Sequence, residues 1–270
     1  MSDKSSVALI GAGSMGGSLL RGWVDADCID RPRSAIFDPT PSQSILALCK
    51  ASAIEVNPQG PSSFDVVVLA VKPQIAPKVL PSYAAATSNA IVASVIAGLS
   101  LETIEGMIDP SAKLARAMPN LPAAVGKGVT GIYARDCVTK DDRAVLDRLL
   151  VAVGATVWVK RESDIDLVTA ISGSGPAYFF LLAEALEEAG LAMGLTADQS
   201  SMLARATLAG AGTLIDQETR SVAEMRKAVT SPGGTTEAAL NVFDGDEKIL
   251  RTLVKQATRA AADRAKALNS

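Results

Sequence analysis

Two glycine-rich stretches carry the chemistry this sequence offers, and both present backbone amides more than reactive side chains. Residues 227–244 read KAVTSPGGTTEAALNVFD. Pro232 has no amide to donate and Gly233-Gly234 are costly to order, so this segment is not the middle of a helix or strand. Glu237, Ala238, Ala239, Leu240, Val242 and Phe243 then follow a short helical pattern, with Thr235 or a glycine placed to cap it. A helix opening there points the amides of Gly234, Thr235 and Thr236 at one spot, with the positive end of the helix dipole behind them. A small anion such as a carboxylate suits that spot. Ser231, Gly233, Gly234, Thr235 and Thr236 are the candidate anion-binding residues; read in isolation, the same stretch is also an ordinary capped turn. The second stretch is Gly11-Ala12-Gly13-Ser14-Met15-Gly16. Gly11 permits a tight turn, Gly13 lets a pyrophosphate approach the backbone, and Gly16 lets a helix and a strand pack closely. A purely structural glycine turn is the other reading of that pattern.

What is missing narrows the chemistry further. The 270 residues contain no histidine, which removes Ser-His-Asp and Cys-His mechanisms, His-ligated zinc and the usual proton shuttle. Cys28, Cys49 and Cys137 are far apart, without CxxC spacing, and read as small packed side chains with no metal role. Catalysis is left to a cofactor, hydroxyls, amides, lysine or carboxylates. A net charge of −3 and 4% aromatic residues leave neither an electrostatic footprint nor stacking platforms for nucleic acid. No apolar run is read as long enough to span a bilayer. Met1-Ser2-Asp3-Lys4 has no apolar region behind it, and Val7–Met15 is too short and glycine-broken for a signal peptide. A cytoplasmic protein without a membrane partner is expected.

The elements that must position these turns follow from hydrophobic pattern. Val7–Ile10 reads as a buried parallel strand, and Leu19, Leu20 and Trp23 continue with helical spacing behind the glycines. A strand–turn–helix context makes the glycine pattern a dinucleotide fingerprint. Ala35–Phe37 is the second strand, with Asp38 at its carboxyl end, 22 residues beyond Gly16. An acidic residue there receives ribose hydroxyls and favours NAD; a ribose phosphate would face a repulsion of roughly 4 kcal/mol at about 4 Å. Thr40, Ser42 and Ser44 offer hydroxyls to such a phosphate, no arginine follows within reach, and Asp38 can also be a simple turn former before Pro39. Asp65–Val71, Ile91–Ile96 and Lys113–Met118 are further strands, running into Lys72-Pro73, Ala97-Gly98 and Pro119-Asn120. Ligands of an open α/β sheet lie beyond such carboxyl ends, although Lys72 alone reads equally well as a solvated lysine. Gly128–Ala134 and Ala155–Val159 flank a helix over Asp141–Val153, so the sheet extends to roughly residue 160. Beyond that the pattern is helical: Asp164–Ile171, an interruption at Ser172–Pro176, Ala177–Met193, Ala197–Ile215 and Glu247–Leu268. The fold class is α/β: a Rossmann-type parallel-sheet domain over 1–162 followed by an all-α domain over 163–270. So much apolar helix exceeds what one compact domain buries.

Three blocks extend this reading: SPGGTT with EAALNVFD, DLVTAISGSGPAYFFLLAEALEEAG over 166–190, and RAMPNLPAAVGKG over 116–128. With the N-terminal fingerprint they make the chain resemble Δ1-pyrroline-5-carboxylate reductase along essentially its whole length. The resemblance implies reduction of pyrroline-5-carboxylate to L-proline, the last step of proline synthesis, by NAD(P)H, with NADPH mostly preferred. It implies cofactor contacts at Gly11, Gly13, Ser14, Met15, Gly16 and Asp38, along Ala70-Val71-Lys72-Pro73, and at Ala97-Gly98 beside the nicotinamide. Asn57 matches a family adenosine contact. The residue at Thr236 is the family's proposed proton donor, and since a threonine hydroxyl is a weak acid, its expected role here is to guide the ring nitrogen by hydrogen bonding. Ser172, Ser174 and Tyr178 are expected near a subunit interface, the two serines equally as a helix cap. Homodimers through the C-terminal helices, often assembling further, are implied. A β-hydroxyacid dehydrogenase would need a lysine after a GxGxxxK-like segment, but Gly173-Ser174-Gly175 leads into Pro176 and the next lysine is Lys227. A dinucleotide-sensing regulator would have no use for the second anion nest.

Overall fold

A computed structural model describes residues 4–59 and 63–268 of the chain; residues 1–3, part of the stretch searched above for a leader, lie outside the described residues. Two compact units form, one from the chain up to Ser174 together with the stretch from Ala262, the other from Gly175–Ala261.

The first unit is built on eight strands: β1 (Val7–Ile10), β2 (Ala35–Phe37), β3 (Glu55–Val56), β4 (Val66–Leu69), β5 (Ile91–Ser94), β6 (Lys113–Met118), β7 (Gly128–Ala134) and β8 (Gly154–Trp158). Their order is β3-β2-β1-β4-β5-β6-β7-β8. All neighbours from β3 to β6 are parallel; β7 runs antiparallel to β6, and β8 follows β7 in parallel. Thus the parallel sheet is present, and its last two strands run the other way. Between the strands lie α1 (Ser14–Asp25), α2 (Gln43–Ser52), two single turns α3 (Ala76–Val79) and α4 (Ala84–Thr87), α5 (Leu101–Glu105) and α6 (Lys140–Val151). β3 and α5 are too short to be read from pattern, and α2 is a helix that the sequence reading did not include.

Strand alternation explains the two cores. Val7, Leu9, Val66 and Val68 face Leu19, Leu20, Trp23, Leu146 and Leu149, while Ala8, Ile10, Val67 and Leu69 face Leu80, Leu101 and Ile104. Being covered on both faces, β1 and β4 are apolar at every position. Trp23 is fully buried and spends its indole N–H on the Leu149 carbonyl at 2.9 Å, tying α1 to α6. The register sets Ile10 opposite both Phe37 and Leu69, and Leu69 opposite Ser94. The carboxyl ends of β2, β1, β4 and β5 therefore stand level.

After β8 come α7 (Asp164–Val168), α8 (Gly175–Ala192), α9 (Ala197–Gln217), α10 (Val222–Ala228), α11 (Thr235–Asp244) and α12 (Ile249–Leu268). The expected break at Ser172–Pro176 is not a break. Thr169–Gly173 forms a π-turn, with the Ser174 amide donating to the Thr169 carbonyl at 2.8 Å, so the helix runs on from α7 into α8. Glycine and proline only widen one turn. A second expectation falls with it: by length and composition, Asp164–Ala192 is a helix long and apolar enough to cross a membrane, where no such run was read. Length and composition alone are weak grounds for a membrane span.

Gly175–Ala261 buries very little of itself. Only Gly175 and Gly190 are buried in α8, and only Ser200 and Ala204 in α9. The two helices fold back on each other after Gly194, with a capping box between Thr196 and Gln199 at the start of α9. Phe179, Phe180, Met202, Leu203, Val242 and Leu253 all stand exposed.

Candidate functional site

The glycine turn after β1 is shaped by its neighbours. A Cβ on Gly11 would lie 2.7 Å from the Ala70 carbonyl oxygen, and one on Gly16 would lie 2.1 Å from the Gly11 carbonyl oxygen. Neither position tolerates a side chain. A Cβ on Gly13 would meet nothing within 4 Å, and Gly13 is the N-cap of α1 with no side chain bonded to the helix start. The first amides of a helix have no acceptor within it. This open concavity of backbone N–H groups at the head of a twelve-residue helix fits a pyrophosphate. Ala70 is bound to β1 through its amide, which donates to Ile10 at 2.8 Å. Val71, Lys72 and Pro73 continue from it, with Lys72 exposed and capping a 3-10 turn that starts at Pro73.

Asp38 is more occupied than a bare ribose acceptor. One carboxylate oxygen accepts from the Ala12 amide at 2.8 Å and the other from the Thr40 amide at 2.8 Å. Asn57, held at φ +51°, pairs with the Asp38 backbone through both its carbonyl oxygen and its side-chain NH2. Asp38 therefore fastens the glycine turn to the end of β2, with oxygen lone pairs left for a ligand. Ser42 caps α2 through the Ile45 amide at 3.4 Å and lies 3.0 Å from the Ser44 hydroxyl. Tyr83 packs edge-on against Phe37, and burial, with the Asp38 carboxylate second, pushes its phenol above the ordinary range.

In the second unit, Ser231–Gly234 form a tight turn with Pro232 and Gly233 at its centre. Gly233 takes φ +72°, and the Gly234 amide donates to the Ser231 carbonyl at 3.0 Å. That is the pattern of a type II turn. Gly234, and not Thr235, is the N-cap of α11, and no side chain caps it. Two corrections to the expected nest follow. The Gly234 amide closes the turn and does not face a ligand, because a type II turn spends that donor internally. The Gly233 amide is taken by the Glu237 carboxylate at 2.7 Å, since the third helical residue can reach back over the turn. Thr235 and Thr236 remain, as first-turn residues whose amides have no intrahelical acceptor. Thr236 is half-buried and Thr235 exposed.

Ala97 and Gly98 lie just beyond β5, where Ala97 is exposed and Gly98 takes φ +72°. Near this end two residues matter: Arg116, which the sequence left without a role, and Asn120, expected only as part of a strand end. Arg116, on β6 and 4% exposed, faces Glu162 at 3.4 Å and Asp166 at 3.8 Å. Asn120 accepts from the Val129 amide at 2.9 Å and donates to the Ser172 carbonyl at 3.0 Å. The amide four residues beyond Ser172 would belong to Pro176, which has none, so Asn120 serves a carbonyl that proline deprives of its usual helical partner. Asn120→Ala orphans two part-buried groups and is expected to lower stability by about 1–3 kcal/mol in urea denaturation. The sequence signal for Asn120 was Pro176 itself; Arg116 had none.

Residues 162–268 match the family described as pyrroline-5-carboxylate reductase dimerisation, and residues 6–98 match NADP oxidoreductase coenzyme F420-dependent. A pyrroline-5-carboxylate reductase of Pseudomonas aeruginosa is 37% identical over 261 residues, covering 96% of this chain and 94% of that protein. The solved structure of a pyrroline-5-carboxylate reductase from Coxiella burnetii superposes with a TM-score of 0.90 at 34% identity, covering 99% of this chain and 100% of that one. A Plasmodium falciparum pyrroline carboxylate reductase with NADP bound superposes with a TM-score of 0.80 at 28% identity, covering 98% of each chain.

Proposed function

The chain belongs to the pyrroline-5-carboxylate reductase family and catalyses the NAD(P)H-dependent reduction of 1-pyrroline-5-carboxylate to L-proline, and from that premise we propose how its residues divide the work. The dihydronicotinamide, when bound, supplies a hydride to the C=N carbon, which is why a chain without histidine suffices. Ser14, Met15 and Gly16 offer the pyrophosphate their first-turn amides, Gly13 leaves it room, and Gly11, whose amide donates to the Phe37 carbonyl at 2.8 Å, shapes the turn. Asp38 orders the adenosine end, and Ala70–Pro73 with Ala97-Gly98 line the remainder. The amides of Thr235 and Thr236 hold the substrate carboxylate, each charge-assisted bond contributing roughly 1.5–3 kcal/mol. Ser231, Gly233 and Gly234 build the turn that aims them. The Thr236 hydroxyl orients the ring nitrogen by hydrogen bonding, while water or an already protonated iminium supplies the proton.

One observation carries this reading: α11 opens on Gly234 with no side-chain cap. An amide pair is thereby left for an external carboxylate. The decisive assay follows oxidation of NADPH and of NADH with pyrroline-5-carboxylate, and with a 3-hydroxyacid/oxoacid pair as control. Turnover of the imine alone is expected; absence of imine turnover with both cofactors overturns the reading.

NADPH is the proposed preferred donor, with NADH admissible. The Asp38 carboxylate is drawn toward the Ala12 and Thr40 amides, and the hydroxyls of Thr40, Ser42 and Ser44 stand beyond it. Asp38→Asn removes a charge and keeps one acceptor, so the ratio of kcat/KM for NADPH over NADH should rise about tenfold, the equivalent of ~1.4 kcal/mol. The uncovered apolar surface of α8, α9 and α12 supports a homodimer or an assembly of dimers, to be read by sedimentation equilibrium. A cytoplasmic location is proposed together with this reading, and fractionation of cells tests it.

A further inference from the structure

The loop between β5 and α5 is anchored differently at its two ends. At its start, the Val95 amide donates to the Leu69 carbonyl at 2.9 Å and the Ile96 amide to the Ser94 hydroxyl at 3.3 Å. At its far end, the Leu101 amide donates to the Glu162 carboxylate at 2.7 Å. The same Glu162 oxygen faces the Arg116 guanidinium, whose side chain is only 5% exposed. Asp166 approaches that guanidinium from α7. Ala97 and Gly98 lie between the two anchors, with Gly98 close against Leu268: a Cβ there would come within 3.1 Å of the Leu268 Cβ. The start is held by backbone and a neighbouring hydroxyl. At the far end the Leu101 side chain is buried in the core and Ser100 caps α5, while the Leu101 amide rests on one carboxylate, which faces a buried cation.

We propose that Arg116 and Glu162 are a positioning pair: they fix the Ala97-Gly98 turn, and through it the reacting end of the dinucleotide against the imine. This rests on the reading above that the turn borders the nicotinamide. A buried arginine facing two carboxylates is an expensive arrangement if its only task is stability, since well-packed apolar residues do as well. Directed at a loop end, it acquires a use. Reacting atoms misplaced by about 1 Å can cost on the order of 10²-fold in rate, so a loosened turn should appear in kcat before it appears in either KM.

The test compares Glu162→Ala, Glu162→Gln and Gly98→Ala with the wild-type enzyme, below the unfolding temperature of every variant and per mole of folded protein. Glu162→Ala is expected to lower kcat tenfold or more, with both KM values within threefold and a primary deuterium isotope effect from [4-2H]NADPH at least as large as the wild type's. Glu162→Gln keeps an acceptor for the Leu101 amide and should lose only two- to threefold; it also serves if Glu162→Ala does not fold. Gly98→Ala disturbs the turn directly, through its positive φ and the Leu268 contact, and should lower kcat with the same isotope signature. If Gly98→Ala acts and the Glu162 variants lower only the melting temperature, the pair is merely structural and the proposal fails alone. If neither residue alters kcat, the turn does not border the reacting end and the site reading fails as well. Loss in the Glu162 variants alone also overturns it, because the pair would then act other than through the turn.

Discussion

Gly13→Val is expected to abolish productive dinucleotide binding while leaving the folded protein within about 0.5 kcal/mol of its original stability. The position has φ −69° and ψ −154°, clear of the left-handed region, and the space around its Cβ is empty to 4 Å. Nothing in the protein resists the side chain. What it fills is the hollow that the N–H groups at the head of α1 surround. Dinucleotide KM should rise a hundredfold or more, equivalent to about 2.7 kcal/mol, with an unchanged melting curve and loss of the fluorescence signal on NADPH titration. Gly16→Ala provides the contrast. Its Cβ would sit 2.1 Å from the Gly11 carbonyl oxygen, so that variant should lose stability first and binding as a consequence. A Gly13→Val protein that binds dinucleotide normally would mean that the hollow is not the pyrophosphate site.

Thr236→Ala is expected to lower kcat by about 10- to 100-fold while changing the KM for the imine less than threefold. The reason lies in which atoms the substitution removes. The Thr235 and Thr236 amides belong to the backbone and survive it, so the carboxylate keeps its grip. Only the hydroxyl is lost, and in the proposed role it contributes to orienting the ring nitrogen during hydride transfer. Thr236→Ser should recover most of the rate. A rise in KM with kcat intact would assign the hydroxyl to binding alone.

The fold was legible where burial leaves no choice of residue. Val7–Ile10 and Val66–Leu69 are apolar throughout because helices cover both faces, and Ile91–Ser94 is equally buried. The glycine fingerprint was legible because two of its three glycines admit no Cβ. The site was legible as a turn and less so as a set of donors. That Gly234 spends its amide within the turn, and that Glu237 reaches back to Gly233, are matters of hydrogen-bond geometry to which residue spacing is blind. The π-turn was hidden because serine, glycine and proline signal a break as readily as a widened turn. The Arg116–Glu162 pair joins positions 46 residues apart, and nothing in local pattern speaks to such a contact. The reversal of β7 is hidden for a similar reason, since the apolar pattern of a strand reads alike in either direction.

The turn ahead of α11 offers a ligand amides and hydroxyls, none of which gains or loses a proton near neutrality. Of the three thiols, all expected to be packed, Cys28 and Cys49 are buried and pushed upward by that burial, while Cys137 is exposed. If the velocity of this enzyme bends as neutral solutions are made more acid or more alkaline, the curve should track the ring nitrogen of the imine. The protein would then serve as an indicator dye for the ionisation of its own substrate.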